Sequence, residues 1–194
     1  MTERTRPLGR PRSEDARLAV LRAVDDMLVA EGYAAMTMKG IAERAGVGRQ
    51  TVYRWWSSKA EILLEASAAD AVRELTVPPG ATAEEEVTAF LGALAAFLTH
   101  SDAGLAYRAL LGEAQHDRAV AELVRGTDVL GDAAREVLDR ARAHGALTGS
   151  ADTAALAAEL VGPLVFRILA EGWTADPASL RAMAERFLRG AAAQ

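Results

Sequence analysis

Apolar residues recur every three or four positions along most of this chain, which is the spacing of amphipathic α-helices. In the first such stretch they are Val20, Leu21, Val24, Met27 and Leu28. Ser13, followed by two acidic residues, is a typical N-cap, and Gly32 is a typical residue just after a helix end. The pattern therefore predicts a first helix that Ser13 caps and Gly32 ends.

Three further helices are predicted before the chain breaks at Pro78-Pro79-Gly80. Thr37 is placed to cap a short second helix, and a glycine-rich turn, Gly46-Val47-Gly48, separates it from a third short helix. Ser58 and Glu61 have the spacing of a capping box, which predicts a longer fourth helix that ends at about residue 75.

Five more helices are predicted after that break, at about 83–100, 104–115, 118–143, 151–172 and 177–191. Gly126-Thr127-Asp128 is a candidate break within the third of these, and Pro163 is expected to kink the fourth. Alanine, the strongest helix former, supplies 43 of the 194 residues, whereas β-branched and aromatic residues are sparse. The sequence therefore predicts an all-α fold.

Charge is distributed unevenly, although the whole chain carries a net charge of −5. Residues 1–65 carry 11 Lys/Arg against 9 Asp/Glu, whereas residues 66–194 carry 11 against 18. A basic N-terminal part on an acidic body is typical of a protein whose N-terminal part binds a polyanion, although a chance fluctuation of surface charge gives the same balance. Residues 1–13, with two prolines and four arginines, are expected to form a disordered basic arm.

This sequence lacks the characteristic residues of several classes of enzyme. The chain has no cysteine, which excludes disulfides, thiolate metal sites and cysteine nucleophiles. Glu113 and His116 have the E-x-x-H spacing of di-iron helical bundles, but no second copy occurs, and no nucleophile elbow or Walker A loop is present. We therefore expect no enzyme activity, no metal and no cofactor.

The sequence also indicates where the protein resides. The longest uncharged apolar stretch, Val87–Ser101, has about 15 residues, whereas a helix that spans a bilayer needs roughly 18–20. Residues 1–12 have no hydrophobic segment of the kind that a signal peptide requires. We expect a cytoplasmic protein that does not enter membranes.

Residues 37–59 carry the most specific pattern in the chain. Two short predicted helices are joined by a tight glycine turn, and small apolar residues occupy the positions where such helices cross: Ala42, Val47 and Val52. The second helix presents residues suited to phosphates and base edges: Arg49, Gln50, Thr51, Tyr53 and Arg54. The pattern predicts a helix-turn-helix that binds duplex DNA, and the alternative for each side chain is a solvated helix face.

This stretch resembles the TetR family of one-component transcriptional repressors. The in-register matches are Gly32-Tyr33, Thr37, Ile41-Ala42, Ala45-Gly46-Val47, Thr51-Val52-Tyr53, Trp56, Ser58-Lys59 and Glu61. The resemblance covers about residues 14–65, and the rest of the chain matches in length and helical character. Gly48, Trp56 and Ser57 depart from the commoner Ser, Phe and Pro or Gly, so the usual side-chain cap on the recognition helix is missing.

The resemblance implies a helix-turn-helix DNA-binding domain over residues 14–57 and a helical effector-binding and dimerisation domain over 58–194. It implies base contacts in the major groove by Arg49, Gln50 and Thr51. It implies phosphate contacts by Thr37, Lys39, Tyr53, Arg54 and Lys59. Two interpretations remain for the arginines of the arm, insertion into a neighbouring minor groove or loose attraction of phosphates: Arg4, Arg6, Arg10 and Arg12.

The resemblance also implies a homodimer, formed through the helices at about 151–172 and 177–191, because one recognition helix reads too few base pairs. The alternative is that these helices pack only within one subunit. An effector pocket is expected among the C-terminal helices, lined by Phe90, Leu94, Phe97, Tyr107, Leu111 and Phe166. Each of these residues also suits an ordinary core. Apolar walls favour an apolar ligand, with Arg108 and Arg167 as candidates to orient an anionic group.

The expected function is that of a repressor that leaves a palindromic operator when a small ligand fills the C-terminal pocket. In this hypothesis the ligand tilts the helix at 58–75 and changes the distance between the two recognition helices of the dimer. Two other classes stay open, a helical binding protein with a silent helix-turn-helix and a metal-dependent helical enzyme.

Overall fold

The computed structural model describes residues 10–149 and 151–192, with side chains from residue 14 onward. Over these ranges the chain is helical and contains no β-strand, which confirms the all-α prediction. The helices are α1 (Arg10–Glu31), α2 (Met38–Arg44), α3 (Arg49–Trp55), α4 (Lys59–Leu75), α5 (Ala83–His100), α6 (Asp102–Glu113), α7 (Arg118–Thr127), α8 (Val129–Ala143), α9 (Thr153–Glu171) and α10 (Pro177–Ala191), with a 3₁₀ turn at Tyr33–Ala35.

The first helix begins three residues before the predicted N-cap, Ser13. It begins at Arg10, so the predicted N-cap at Ser13 is wrong. Pro11 is tolerated in the first turn because its missing N–H has no partner to lose there. Of the predicted basic arm, residues 10–13 therefore belong to α1, and residues 1–9, which hold the other two arginines, lie outside the described residues.

The helix predicted at 118–143 is two helices, α7 and α8, and the candidate break is confirmed. Asp128 joins them with a left-handed backbone, φ 38° and ψ 45°, and its N–H donates to the Val124 carbonyl at 3.3 Å. Aspartate tolerates this conformation better than most residues with a side chain. The chain therefore changes direction at one residue, without a loop.

Contacts divide the chain into two units, residues 1–66 and 67–194, and the division falls within α4. In the N-terminal unit α2 contacts both α1 and α3. Its completely buried side chains come from all four helices: Val20, Val24, Ile41, Val52, Ile62 and Leu63. They follow the apolar stripe of each helix, which is the stripe that packs in helical proteins.

α5 is the central helix of the C-terminal unit, because it contacts α6, α8, α9 and α10. It is uncharged from residue 87 to residue 99, and its large side chains are buried: Phe90, Leu91, Leu94, Phe97 and Leu98. A helix that is apolar on most sides is stable in water only when other helices cover it.

α6 lies directly against the backbone of α5 at Gly104. The helix begins at Asp102, two residues before its predicted start, and the Ser101 hydroxyl accepts a hydrogen bond from the Gly104 N–H at 3.3 Å. A Cβ built at Gly104 would overlap the carbonyl group of Phe97. Glycine is therefore required by this close approach of two helices.

We predict that Gly104→Ala lowers the free energy of unfolding by at least about 2 kcal/mol, because the new methyl group overpacks against backbone that cannot rotate away. Chemical denaturation followed by circular dichroism measures the change. Gly112→Ala in the same helix is the matched control, since its Cβ meets no atom within 4 Å. The control is expected to be neutral or to stabilise by up to about 1 kcal/mol, and an equal loss for both variants contradicts this account.

The buried carboxylate of Glu86, 2% exposed, joins three segments of the C-terminal unit. It accepts hydrogen bonds from the Gly80 N–H at 2.8 Å and from Arg140 Nε at 2.7 Å, and His144 Nε2 lies 3.4 Å away. Arg140 also donates to the Val77 carbonyl at 3.3 Å. Burial raises the pKa of a carboxyl group, but the hydrogen bonds and charge of Arg140, with those from Gly80 and His144, outweigh it, and the pKa of Glu86 lies below its ordinary value.

We predict that Glu86→Gln destabilises the protein at pH 7 by about 3 kcal/mol, since it removes the buried charged partner of Arg140 and leaves that arginine only the exposed Glu136. The folded-state pKa of Glu86 is lowered, so its contribution is complete above the ordinary value of 4.5 and decreases as the pH falls below that value. Unfolding free energies measured between pH 7 and pH 3 should therefore converge for the two proteins. The unfolding free energy of Glu84→Gln, an exposed change in the same turn, should have the same pH dependence as that of the parent.

Candidate nucleic-acid interface

The turn between α2 and α3 sets the direction of α3. Gly46 has a φ of 67°, and its N–H donates to the Glu43 carbonyl at 3.2 Å. The N–H of Val47 donates to the Ala42 carbonyl at 3.0 Å. These two hydrogen bonds form a Schellman motif, which closes α2 and needs a residue that tolerates a left-handed backbone. The glycine predicted to end this helix is therefore confirmed in its role.

α3 has one buried side and one exposed side. Val52 is completely buried, whereas Tyr53 is 57% exposed and Thr51 is half-buried. The other polar side chains of this helix are exposed: Arg49, Gln50 and Arg54. Gly48 occupies the N-cap without a side-chain hydrogen bond, as expected from its departure from Ser. The helix thus presents a hydrogen-bonding surface on a fixed apolar base.

Glu43, which the sequence analysis did not single out, lies between two of the predicted DNA-contacting cations. Its Oε1 atom is 3.7 Å from Lys39 Nζ and 3.7 Å from Arg49 Nη2, and all three side chains are more than half exposed. Because both cations reach one carboxylate, the beginnings of α2 and α3 share a surface. Exposed ion pairs of this kind contribute little stability, so Lys39 and Arg49 readily leave Glu43 to pair with another anion.

The C-terminal end of α3 is anchored by Trp56, which is 3% exposed. Its Nε1 donates to Glu65 Oε2 at 2.8 Å, and Arg17 pairs with the same carboxylate at 2.6 Å. Trp56 therefore packs beneath the helix. Trp55 lies edge-on to Trp56 at 5.4 Å, and the Arg54 guanidinium stacks over the Trp55 ring at 5.1 Å.

The beginnings of α2 and α4 are capped as the sequence predicts, with one difference. Thr37 accepts a hydrogen bond from the Gly40 N–H at 3.0 Å, and Ser58 accepts one from the Glu61 N–H at 3.2 Å. The Glu61 carboxylate, however, accepts from the N–H of Ser57 at 2.7 Å rather than from the cap residue itself. The capping box is thus extended by one residue, and it fixes the link between α3 and α4.

Lys59 has a structural role that the sequence analysis missed. Its ammonium donates to the carbonyls of Tyr33 at 2.8 Å and Met36 at 3.1 Å, and it lies 4.1 Å from the centre of the Tyr33 ring. An ammonium has three N–H donors, so one remains for a further acceptor. Lys59 therefore ties the start of α4 to the segment before α2, in addition to any contact with DNA.

A cavity of about 300 Å³ opens in the C-terminal unit between α6, α8 and α9. Two of the predicted pocket residues, Tyr107 and Leu111, line it. The other four do not line this cavity: Phe90, Leu94 and Phe97 are buried in the packing of α5, and Phe166 is 62% exposed on α9. The expected pocket is thus only partly the observed cavity, because most of its aromatic residues serve as core.

The two arginines considered for an anionic ligand are engaged away from this cavity. Arg108 donates to the Leu98 carbonyl at 3.1 Å. Arg167 lies 4.2 Å from the centre of the Trp173 ring and 3.7 Å from a Glu171 oxygen. Neither side chain lines the cavity, so the structure does not bring them to a ligand there.

The outer face of α9 is mainly apolar. Phe166 and Leu169 are 62% and 39% exposed. α9 is long and apolar enough to span a membrane by composition, with a mean hydropathy of 1.6, yet only 33% of that stretch is buried. This helix was not predicted from the longest uncharged apolar stretch of the sequence, because Glu159 and Arg167 interrupt its apolar residues. A further cavity of about 300 Å³ lies between α5, α9 and α10, so this surface combines exposed apolar side chains with a groove.

Two family models match the chain. The one described as "Bacterial regulatory proteins, tetR family" matches residues 20–66, and the one described as "Tetracyclin repressor-like, C-terminal domain" matches residues 77–187. The uncharacterized HTH-type transcriptional regulator YdeS of Bacillus subtilis is 30% identical over 184 residues, which are 94% of this chain and 92% of that protein.

Solved structures have the same fold. The TetR family transcription regulator SCO0332 superposes with a TM-score of 0.77 and 29% identity, over 91% of this chain and 98% of that one. Salmonella enterica GusR superposes with a TM-score of 0.65 and 19% identity, over 94% and 98% of the two chains. The family models, the relative and the helix-turn-helix geometry agree, and the chain belongs to the tetR family of DNA-binding transcription regulators, which are not enzymes.

Proposed function

We propose that this regulator is a cytoplasmic, homodimeric repressor that binds a palindromic operator and leaves it when a small molecule binds the C-terminal unit. The observation that carries the proposal is the two-sided character of α3. Val52 anchors the helix inward, and Arg49, Gln50 and Tyr53 are exposed on the other side. An exposed helix with guanidinium, amide and hydroxyl groups fits the major groove, where these groups match base edges and phosphates.

In this proposal the base edges are read by Arg49, Gln50 and Thr51, and phosphates are bound by Thr37, Lys39, Tyr53, Arg54 and Lys59. Lys39 and Arg49 exchange Glu43 for DNA, which costs little because both ion pairs are exposed. Lys59 contributes its third N–H while its other two hold the carbonyls described above. Several phosphate contacts in each subunit give affinity that falls steeply with salt.

A homodimer through α9 and α10 is supported by the apolar face that one copy leaves exposed. Two-fold symmetry presents that face to its own copy, so the exposed Phe166 and Leu169 are buried in both subunits. The same symmetry places two recognition helices in successive major grooves, about 34–36 Å apart, which is why the operator is expected to be palindromic.

Release by a ligand requires only that the ligand prefers the dimer conformation that does not fit DNA. A tenfold preference corresponds to about 1.4 kcal/mol, which is a modest coupling energy. We propose α4 as the connecting element, because its residues belong to both units of the chain. A tilt of this helix changes the distance between the two recognition helices and lowers the affinity for the operator.

We predict that selection from a random duplex library with the full chain enriches a palindrome. Arg49→Ala and Gln50→Ala should change the enriched sequence, because each loses a base contact of about 1–3 kcal/mol. Tyr53→Phe should bind all duplexes more weakly without a change of sequence, because it loses a phosphate contact only. The measurements are the enriched sequences and the dissociation constants for the enriched duplex and a scrambled one.

Lys59 is unsuited to this test, since its substitution also removes the hydrogen bonds to Tyr33 and Met36. Gln115→Ala, an exposed change in the C-terminal unit, is the control and should behave as the parent does. A uniform loss of affinity for the Arg49, Gln50 and Tyr53 variants, without a change of enriched sequence, contradicts the division between base and phosphate contacts. No enrichment at low salt by the parent contradicts the operator proposal.

We predict that Phe166→Glu weakens the dimer at least about tenfold, since a carboxylate must then be desolvated in an apolar interface. Sedimentation equilibrium over a concentration series gives the dissociation constant of the dimer. Leu105→Glu is the matched control, because Leu105 is an exposed leucine on α6, outside the proposed interface. A dimer that tolerates Phe166→Glu as well as Leu105→Glu, or a parent that stays monomeric, argues against this interface.

A further inference from the structure

The cavity between α6, α8 and α9 has apolar walls and a polar edge. The walls are formed by small and medium aliphatic side chains, among them Leu111, Leu130, Ala157, Val161 and Val165. The polar side chains that line it are those of Tyr107 and Asp128. A volume of about 300 Å³ is at the lower end of the range for ligand pockets, which gives room for one small molecule.

The hydroxyl of Tyr107 lacks a protein partner at this edge. Tyr107 is 6% exposed, and no hydrogen bond to its hydroxyl is found within the part of the chain that the structure describes. Because the hydroxyl oxygen itself remains accessible to solvent at the cavity edge, a polar atom of a ligand can take the place of water there. Burial and the charge of Asp128 raise the pKa of Tyr107 to about 12, and the hydroxyl stays protonated at neutral pH. A polar atom of a ligand satisfies it.

Asp128 brings a carboxylate to the same edge. Its left-handed backbone and the absence of a side chain at Gly131 allow the carboxylate to lie over the first turn of α8, where a Cβ at Gly131 would overlap it. Arg135 pairs with both Asp128 and Asp132. These three side chains together carry one net negative charge, so the edge of the cavity is negative rather than neutral.

Positive charge is absent from the residues that line the cavity, since Arg108 and Arg167 are directed elsewhere. An anionic ligand would therefore meet the Asp128 carboxylate without a cation among the lining residues, which is an arrangement that disfavours carboxylates. A positively charged group would instead meet Asp128 and a protonated hydroxyl, which accepts through its oxygen lone pairs.

We infer that this cavity binds one small, mainly apolar molecule that carries an amine or another positively charged hydrogen-bond donor at one end. The inference rests on the proposed function of the C-terminal unit as the effector-binding part. It specifies the chemical class of the effector, and it reverses the anionic class that Arg108 and Arg167 indicate when the sequence is considered alone.

The test uses three probes that share a naphthalene ring and differ in the head group: 1-naphthylmethylamine, 1-naphthylmethanol and 1-naphthoate. Each is titrated into the full-length protein at pH 7 by isothermal titration calorimetry, without DNA. The amine should bind about tenfold more tightly than the alcohol, which is the scale of one hydrogen bond to a charged group. The carboxylate should bind most weakly. Equal or tighter binding of 1-naphthoate overturns the inference, and so does a failure of all three probes to bind.

Two variants separate the charge of Asp128 from its position. Asp128→Asn keeps a residue that tolerates the left-handed backbone and should remove the preference for the amine over the alcohol. Gly131→Ala keeps the charge but displaces the carboxylate, because the new Cβ overlaps it, and the same loss is expected. Asp139→Asn is the matched control, since Asp139 is an exposed carboxylate of α8 that pairs with Arg142 and does not line the cavity. An unchanged amine preference in Asp128→Asn contradicts the assignment.

Tyr107→Phe should weaken both the amine and the alcohol about fivefold, since it removes one neutral hydrogen bond from each. A change for neither probe contradicts the role of the hydroxyl. Operator affinity measured with and without the amine tests the proposed function separately. Selective binding of the amine without release of DNA contradicts the release mechanism and supports the ligand class. Release of DNA by a probe, without a preference for the amine, supports the release mechanism and contradicts the ligand class.

Discussion

The orientation of α3 depends on a single left-handed residue in the turn before it. Gly46 closes α2 with the two hydrogen bonds of a Schellman motif, and α3 begins three residues later. Each residue rotates a helix by about 100°, so a different turn would expose Val52 and bury part of the polar face. The contact of Val52 with the core and the exposure of Arg49 and Gln50 are therefore one property, set by the backbone of the turn.

A helix of seven residues is too short to be stable alone, so both ends of α3 must be held by the rest of the unit. At its far end the Trp56 indole binds Glu65, and Glu61 binds the Ser57 N–H. Lys59 then fixes the start of α4 on two carbonyls of the segment before α2. The polar face of α3 is thus presented by a frame of buried apolar and hydrogen-bonded groups, which reduces the entropy that DNA binding must overcome.

Local rules account for what could be predicted from the sequence. A cap, a left-handed glycine and an apolar stripe act over a few residues, which is why Thr37, Gly46 and the bounds of α5 and α10 follow from the pattern alone. Contacts between distant residues could not be predicted, because nothing in the pattern aligns them. Lys59 and Tyr33 are 26 positions apart, and Glu86 and Arg140 are 54 apart. The prediction that aromatic residues line the pocket was wrong for most of them, for a related reason. Burial in a core and contact with a ligand favour the same side chains.

Asp128 connects the strain in the fold with the chemistry of the cavity. A glycine at the joint of α7 and α8 would adopt the left-handed backbone with less strain, and an asparagine would adopt it without a charge. Aspartate instead places a carboxylate near the hydroxyl of Tyr107, 21 positions earlier in the chain, and in contact with Arg135. Strained residues persist where the surrounding structure requires them, and they are frequent at ligand sites. The negative charge at the start of α8 stabilises that helix and pairs with Arg135, and in our proposal the same carboxylate also recognises the cationic ligand.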